Sequence, residues 1–390
     1  MFSVAGANHY RQVLGTTIFI LSINGYPLVA LISTILNLDS QALSIPFRAI
    51  VSSLVFLGLV TKVRFARPTI NQLCFWLFII IYLFRLLWDF IAGDVPQVQQ
   101  ALSVYLFIVV LPSFAAGQLL GGRLPEWACS WYLGLLGGII CLLASAMRTL
   151  GWGAEQTIDP IATVGRLVFI ALNPITLGHV AVTTLICLLC LISYRPNYPT
   201  RILCVAIAII SLYCLFLTGS RGPLVALAVC SIVYSYNSKN MRLAVLLSVL
   251  LLVGLAGPEV LFLSRFASMD VDPSSLQRLQ IQYNALQQFF EHPVLGSAYI
   301  DVVTGEYPHN LFIDAAMSMG IIGLFSLALL LYRASLVAWN QLKHGQTLIP
   351  LLCVQFLVAS QFSGSIWGSA QLFIVLSVLL SSRQLNYQYL

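Results

Sequence analysis

Apolar stretches of about twenty residues recur along this chain, separated by short polar joints. A helix of that length spans about 30 Å, which matches the hydrocarbon core of a bilayer. Only 8% of the 390 residues are charged, 59% are hydrophobic, and the mean hydropathy is +0.92. An ordinary soluble domain carries about 25% charge, so this composition excludes one. It indicates an all-α polytopic membrane protein, a single integral membrane domain over residues 1–390 with membrane lipid as a partner and no nucleic acid. Arg11 precedes an apolar run reaching about Leu36, too long for the core of a cleavable signal, so this run reads as the first span.

The hydropathy pattern predicts about twelve transmembrane helices, over 13–36, 42–61, 71–92, 100–120, 128–149, 166–192, 201–218, 223–237, 242–262, 309–332, 348–364 and 367–382. Positive charge orients them. With both termini cytoplasmic, Arg11, Lys62, Arg64, Arg67, Arg123, Arg195, Arg201, Lys239, Arg242, Arg333, Lys343 and Arg383 fall inside. Arg148, Arg166, Arg221, Arg265 and Arg278 then lie on the outer side against the rule, which invites a functional explanation. Two outer loops are long, 150–165 and 263–308. The second, before the tenth span, opens on Asp272-Pro273-Ser274-Ser275, a helix start with a cap and a proline in the first turn. Leu276, Leu279, Ile281, Tyr283, Leu286, Phe289 and Phe290 then form a helical apolar stripe, with glutamines opposite. Such a helix lies on the outer leaflet or covers a cavity, and Pro293 and Gly296 end it.

The nine cysteines all lie in or beside apolar windows, and Cys187 and Cys190 sit one helical turn apart. Small packing residues are the better reading than a disulfide framework or metal site. Asp270-Val271-Asp272 has a spacing used to hold metals, but it immediately precedes a helix start, where capping explains it. No metal or other cofactor is expected.

Several polar residues are candidates for chemistry. Arg221 stands in Thr218-Gly219-Ser220-Arg221-Gly222-Pro223 between two spans. The glycines allow a tight bend, and a helix start with a guanidinium makes an anion site. A turn whose arginine reaches lipid headgroups fits equally well. His309 opens a span, where a neutral imidazole can act as a base and a nearby arginine would lower its pKa. It can also be a boundary residue, with Asn310 as the helix cap. Arg85 and Asp89, one helical turn apart, read as a structural ion pair, with substrate contact the minority reading. Arg166 precedes Asn173-Pro174 and Gly178, a break that could let helices open around a lipid. His179, deeper in that span, reads as a packed and hydrogen-bonded residue.

Taken together, these residues resemble the bacterial O-antigen ligase and polymerase superfamily. The likeness rests on Thr218-Gly219-Ser220-Arg221-Gly222 and on His309-Asn310 followed, after nine residues, by Gly320-x-x-Gly323. Arg278 ahead of Phe290-Glu291-His292-Pro293-Val294-Leu295-Gly296 adds to it, as does the late outer loop. The resemblance implies a metal-independent, inverting glycosyl transfer at the periplasmic face of a Gram-negative inner membrane. The donor would be an undecaprenyl-diphosphate-linked glycan. Arg221 with Arg265 or Arg278 would hold the diphosphate, Arg166 would be a further contact, and His309 would deprotonate the acceptor hydroxyl. Ser220, Gly222, Asn310, Arg85 and Asp89 would support that site.

In the ligases the acceptor is lipid A–core; in the polymerases it is another lipid-linked repeat. Some polymerases place a glycine at a fixed distance after an arginine in two outer loops. At that distance from Arg166 and Arg278 this chain has Val182 and Val294, which favours a ligase. A protein O-oligosaccharyltransferase is a further member type. The reading from another class is a secondary transporter, but those commonly carry related halves around a site near the midplane, and no internal repeat is visible. Cysteine labelling at positions 221, 265, 278 and 309 discriminates: the enzyme reading expects modification from the outer face, and access to all four from the cytoplasm contradicts it.

Overall fold

A computed structural model describes residues 4–60, 68–93, 95–121, 124–150, 172–194, 196–238 and 273–382, and these are helical with short joints. Helix α1 (Val4–Ile20) continues through a π turn (Leu21–Gly25) into α2 (Tyr26–Ile35). Pro27 explains the wide turn: its ring would strike the carbonyl one turn back, and the extra residue relieves that clash. There follow α3 (Ser40–Val60), α4 (Ile70–Ala92), α5 (Val98–Val104) with a π turn to α6 (Leu111–Leu120), and α7 (Glu126–Leu150). Next come α8 (Pro174–Ser193), α9 (Tyr198–Leu217), α10 (Arg221–Ser238), α11 (Pro273–Glu291), α12 (Leu311–Lys343), α13 (Leu348–Ala359) and α14 (Ala370–Leu380).

Among the described residues, eight helical segments are long and apolar enough to cross a membrane, against the twelve expected. They run from α1–α2 through α3, α4, α5–α6, α7, α8 and α9 to α12. The expected 223–237 span forms as α10, which is not one of the eight, and the expected 242–262 span lies outside the described residues. The last two expected spans are helices of 12 and 11 residues. At 1.5 Å per residue they reach less than about 20 Å, short of a bilayer core. The stretch between them is rich in serine and glycine and leaves helical geometry from Ser363 to Ser365. Leucine-rich flanks disguised that break in the hydropathy pattern. Non-helical backbone at such depth is tolerated where it lines a cavity, and this stretch does so. The nine cysteines are free and buried, as packing residues would be.

Helix α12 is broken in its third turn at Gly320, whose φ of 62° and ψ of −152° no helix accommodates. The segment after α11 fills the break. Ile321 N donates to Pro293 O at 2.8 Å, and Ser297 N donates to Met317 O at 2.9 Å. The approach is so close that a Cβ on Gly320 would collide with Val294 and Pro293, and one on Gly296 with the backbone of Ser318. Gly320 of the His-Asn…Gly-x-x-Gly pattern and Gly296 are therefore two sides of one contact.

Arg85 and Asp89 form the expected ion pair on α4, and it clamps the same segment. Tyr299 N donates to the second carboxylate oxygen of Asp89 at 2.9 Å, and Arg85 reaches Gly296 O at 3.5 Å. Helix α11 is amphipathic as expected, but its packed side is mixed. Ile281, Ala285, Asn284 and Gln288 are buried, while Leu279, Tyr283 and Phe290 face outward. The polar members bind the following loop: Asn284 donates to Asp301 at 3.0 Å, and Val302 N donates to Gln288 at 3.2 Å.

Gly320→Ala is expected to lower stability by more than about 2 kcal/mol, since it adds a clash to a left-handed backbone. Gly305→Ala shares the positive φ, 74°, but meets nothing within 4 Å, and should cost about 1 kcal/mol. Thermal unfolding of both variants in nanodiscs checks the ranking.

Candidate active site

The helix starts and ends named by the sequence converge on the Ser360–Gly368 stretch between α13 and α14. Its first residue accepts a hydrogen bond from Leu311 N at 3.0 Å, which ties it to the start of α12. Phe362 packs against Gly222 at the start of α10, where any larger residue would press on the Phe362 side chain. The Phe362 carbonyl accepts from Arg278 Nη1 of α11 at 3.2 Å. Ile366 N donates to Asp314 Oδ2 of α12 at 2.7 Å. Trp367 meets the Tyr307 ring edge-on, with centroids 6.2 Å apart.

His309 stands at the junction. Its φ of 55° is a left-handed conformation that a non-glycine residue adopts only at a cost of about 1–2 kcal/mol. Several bonds hold it there. Gln282 of α11 donates to Pro308 O at 3.1 Å. Asn310 caps α12, accepting from Phe312 N at 3.0 Å and Ile313 N at 3.2 Å. Thus Asn310 takes the capping role and leaves His309 free of it. The imidazole lies against Tyr307, with centroids 4.4 Å apart, and its buried Nδ1 has no hydrogen-bond partner. Burial, and after it the positive charge of Arg278, lowers its pKa from 6.5 to about 4. The imidazole is therefore neutral near neutral pH, the form that accepts a proton.

Thr218–Gly222 forms a compact turn. Gly219 takes a φ of 56°, and Ser220 is buried, its N–H donating to Thr218 Oγ1 at 3.4 Å. Arg221 begins α10, partly buried. Gly178 of α8 is where this turn sits down, because a Cβ there would strike Pro223. Asn173-Pro174 is the cap and first turn of α8, with Asn173 Oδ1 accepting from Ile175 N at 2.8 Å; residues 166–171 of the expected span lie outside the described residues. The structure thus gathers Ser220, Arg221, Gly222, Arg278, His309 and Asn310 around one stretch of chain. Arg85 and Asp89 act one layer away, on the Gly296–Tyr299 backbone. Arg166, Arg265, Asp270 and Asp272 lie outside the described residues.

Three participants escaped the sequence reading. Tyr307 and Trp367 line a cavity of about 340 Å³ between the α2 start, α8 and the Ser360–Ser369 stretch. Asp314 is fully buried and anchors Ile366. A carboxylate inside an apolar span was the available signal for Asp314, since such residues are costly unless they hold a partner. His179 also differs from expectation. It lines the cavity, and neither ring nitrogen has a hydrogen-bond partner.

A multi-pass helical protein with a neutral histidine and guanidinium groups at the mouths of its helices is equipped for group transfer from an anionic leaving group. Residues 206–328 match the family model described as O-antigen ligase. That segment holds the Thr218–Gly222 turn, Arg278, His309 and both glycines of the Gly-x-x-Gly pattern, and the match supports a member of the O-antigen ligase superfamily, of the ligase- and polymerase-type glycosyltransferases. No curated protein matches the chain.

If Arg278 helps keep His309 neutral, Arg278→Gln should raise the histidine pKa above 4 without restoring 6.5, because burial is the larger cause. Histidine NMR titration checks this; an unchanged or lower value contradicts the arrangement. If His309 serves as a base, its neutral form, which exists above its folded pKa, is the competent one. The acid limb should therefore fall well below pH 6.5, toward 4.

Proposed function

We propose that this protein moves a glycan from undecaprenyl diphosphate to a sugar hydroxyl of lipid A–core, at the periplasmic face of a Gram-negative inner membrane. The observation that carries the reading is His309, neutral and with an unbonded Nδ1, under the charge of Arg278. In one inverting displacement the acceptor hydroxyl gives its proton to His309. Its oxygen bonds to the anomeric carbon, and the bond from that carbon to the diphosphate oxygen breaks. Undecaprenyl diphosphate leaves with the electron pair.

Negative charge grows on the diphosphate as that bond breaks, so guanidinium contacts strengthen in the transition state. Arg221 and Arg278 supply them, with Arg265 and Arg166 as further contacts. A guanidinium suits the task because its charge is permanent and its fork matches two phosphate oxygens. Ser220 and Gly222 shape the turn that presents Arg221, and the Arg85–Asp89 clamp keeps the loop ahead of His309 in place. No metal has a part in this scheme, because the arginines neutralise the leaving group. The large outer loop, 263–308, includes α11, which brings Arg278 to the site. A polymerase reading shares the donor side and changes only the acceptor.

His309→Ala should reduce transfer at least about a thousandfold at normal protein level, within the range for loss of a general base together with its positioning. Arg221→Lys should recover only part of what Arg221→Ala loses; full recovery would show that a forked contact is not required. Reconstitution with a lipid-diphosphate glycan, offering lipid A–core and a second lipid-linked repeat separately, tests the acceptor. Extension of lipid A–core is expected, and extension of the repeat alone would make the protein a polymerase.

A further inference from the structure

The cavity beside Tyr307 has properties that the catalytic scheme leaves unused. Its volume, about 340 Å³, lies at the lower end of small-molecule sites, about 300–1,000 Å³. Among its described lining residues there is no Lys, Arg, Asp or Glu. It is nevertheless polar. The His179 side chain is half-buried with both ring nitrogens buried and unpartnered, and the Trp367 indole N–H and Asn24 Oδ1 are buried without partners too. The Asn24 side chain is held by its own amide, which donates to Leu133 O at 3.3 Å, so its free oxygen has a fixed place. Each unpaired buried group costs about 1–3 kcal/mol, and three around one cavity call for a ligand that satisfies them.

We propose that this cavity is the acceptor subsite, taking an uncharged, hydroxyl-bearing sugar ring. A diphosphate finds no cation among the described lining residues, whereas sugar hydroxyls both donate and accept. Trp367 Nε1 can only donate, Asn24 Oδ1 can only accept, and neutral His179 does each once. The aromatic faces of Tyr307 and Trp367 offer the apolar surface against which a sugar ring's C–H face rests. Position assigns the sugar to the acceptor. Phe362 meets Arg278 and Gly222, while Ser363–Gly368 and Tyr307 line the cavity; His309 packs its ring against Tyr307 and feels the charge of Arg278, so it borders both the cationic side and the sugar side. A base must stand there to take a proton from an attacking hydroxyl. A second cavity of about 310 Å³ shares Tyr26, Trp367, Gly368 and Gln371 with the first. Its described lining is mainly apolar, with Arg48 the charged member, which gives a lipid-borne acceptor a path for its stem.

The acceptor assignment rests on the glycosyltransferase reading, and the test separates the two. Deacylated core oligosaccharide is titrated against the full chain in nanodiscs by saturation-transfer NMR, with undecaprenyl diphosphate as the second probe; KM and kcat for lipid A–core are measured alongside. His179→Phe should weaken oligosaccharide binding and raise KM about tenfold or more, the effect of losing one or two buried hydrogen bonds, while undecaprenyl diphosphate binding stays within about twofold. His179→Asn, which keeps a donor and an acceptor, should recover part of the binding and checks that the loss is not misfolding. If the wild type binds no oligosaccharide, if both His179 variants bind it as the wild type does, or if the loss falls on undecaprenyl diphosphate, the subsite is overturned. Binding that depends on His179 in a protein that never transfers a glycan would keep the sugar site and overturn the enzyme reading instead.

Discussion

Backbone N–H and C=O groups inside an apolar bundle must find partners within the protein, and this chain meets that demand in two places where its helices stop. At Gly320 the ladder of α12 is interrupted, and the Pro293–Ser297 segment supplies the bonds. Between α13 and α14 the Ser360–Gly368 stretch is held by Leu311 N, Asp314, Arg278 and its own serines. Every candidate catalytic residue in the described structure is fixed by one of these breaks. His309 precedes the broken helix, Arg278 lies on the helix that delivers the inserted segment, and Arg221 follows the turn seated against Phe362.

The same constraint explains why the chemistry sits where it does. A continuous helix offers no free amide and keeps its side chains at fixed spacing. A broken one exposes a cap, a turn and a cavity, and admits residues such as Asp314 and His179 that would otherwise be costly. The left-handed backbone at His309 is part of this arrangement, over-determined by Gln282, Asn310 and the Leu311 anchor. Asn310 caps the helix so that the imidazole has no structural duty, and Arg278 with burial holds it neutral.

Much of this was legible in the sequence. Apolar runs marked most helices, the spacing of Arg85 and Asp89 marked their ion pair, and Asp272-Pro273 marked the start of α11 within a residue. The motif residues Arg221, Arg278 and His309 were legible through the pattern they make together, not singly. What was hidden is instructive. Ser360–Gly368 reads as a short turn because serine, glycine and one tryptophan carry no signature until helices are packed around them. Its flanking helices read as spans because hydropathy measures burial, and burial in protein looks like burial in lipid. His179 read as a satisfied core residue because nothing local shows that α2 and the α13–α14 joint leave it without a partner. The packed side of α11 was hidden for a similar reason: its Gln288 and Asn284 serve the following loop, which spacing within one helix cannot reveal.

The central claim is that His309 activates the acceptor directly, in a single displacement on a glycan held by its diphosphate. The anomeric configuration of the product tests it most directly. With a donor of defined α-linkage to the diphosphate and purified protein in nanodiscs, NMR of the first-turnover product should show a β-linkage to the acceptor sugar. An α-linked product would require two displacements or attack from the face of the departing diphosphate, and so would contradict a single inverting displacement with the histidine as base.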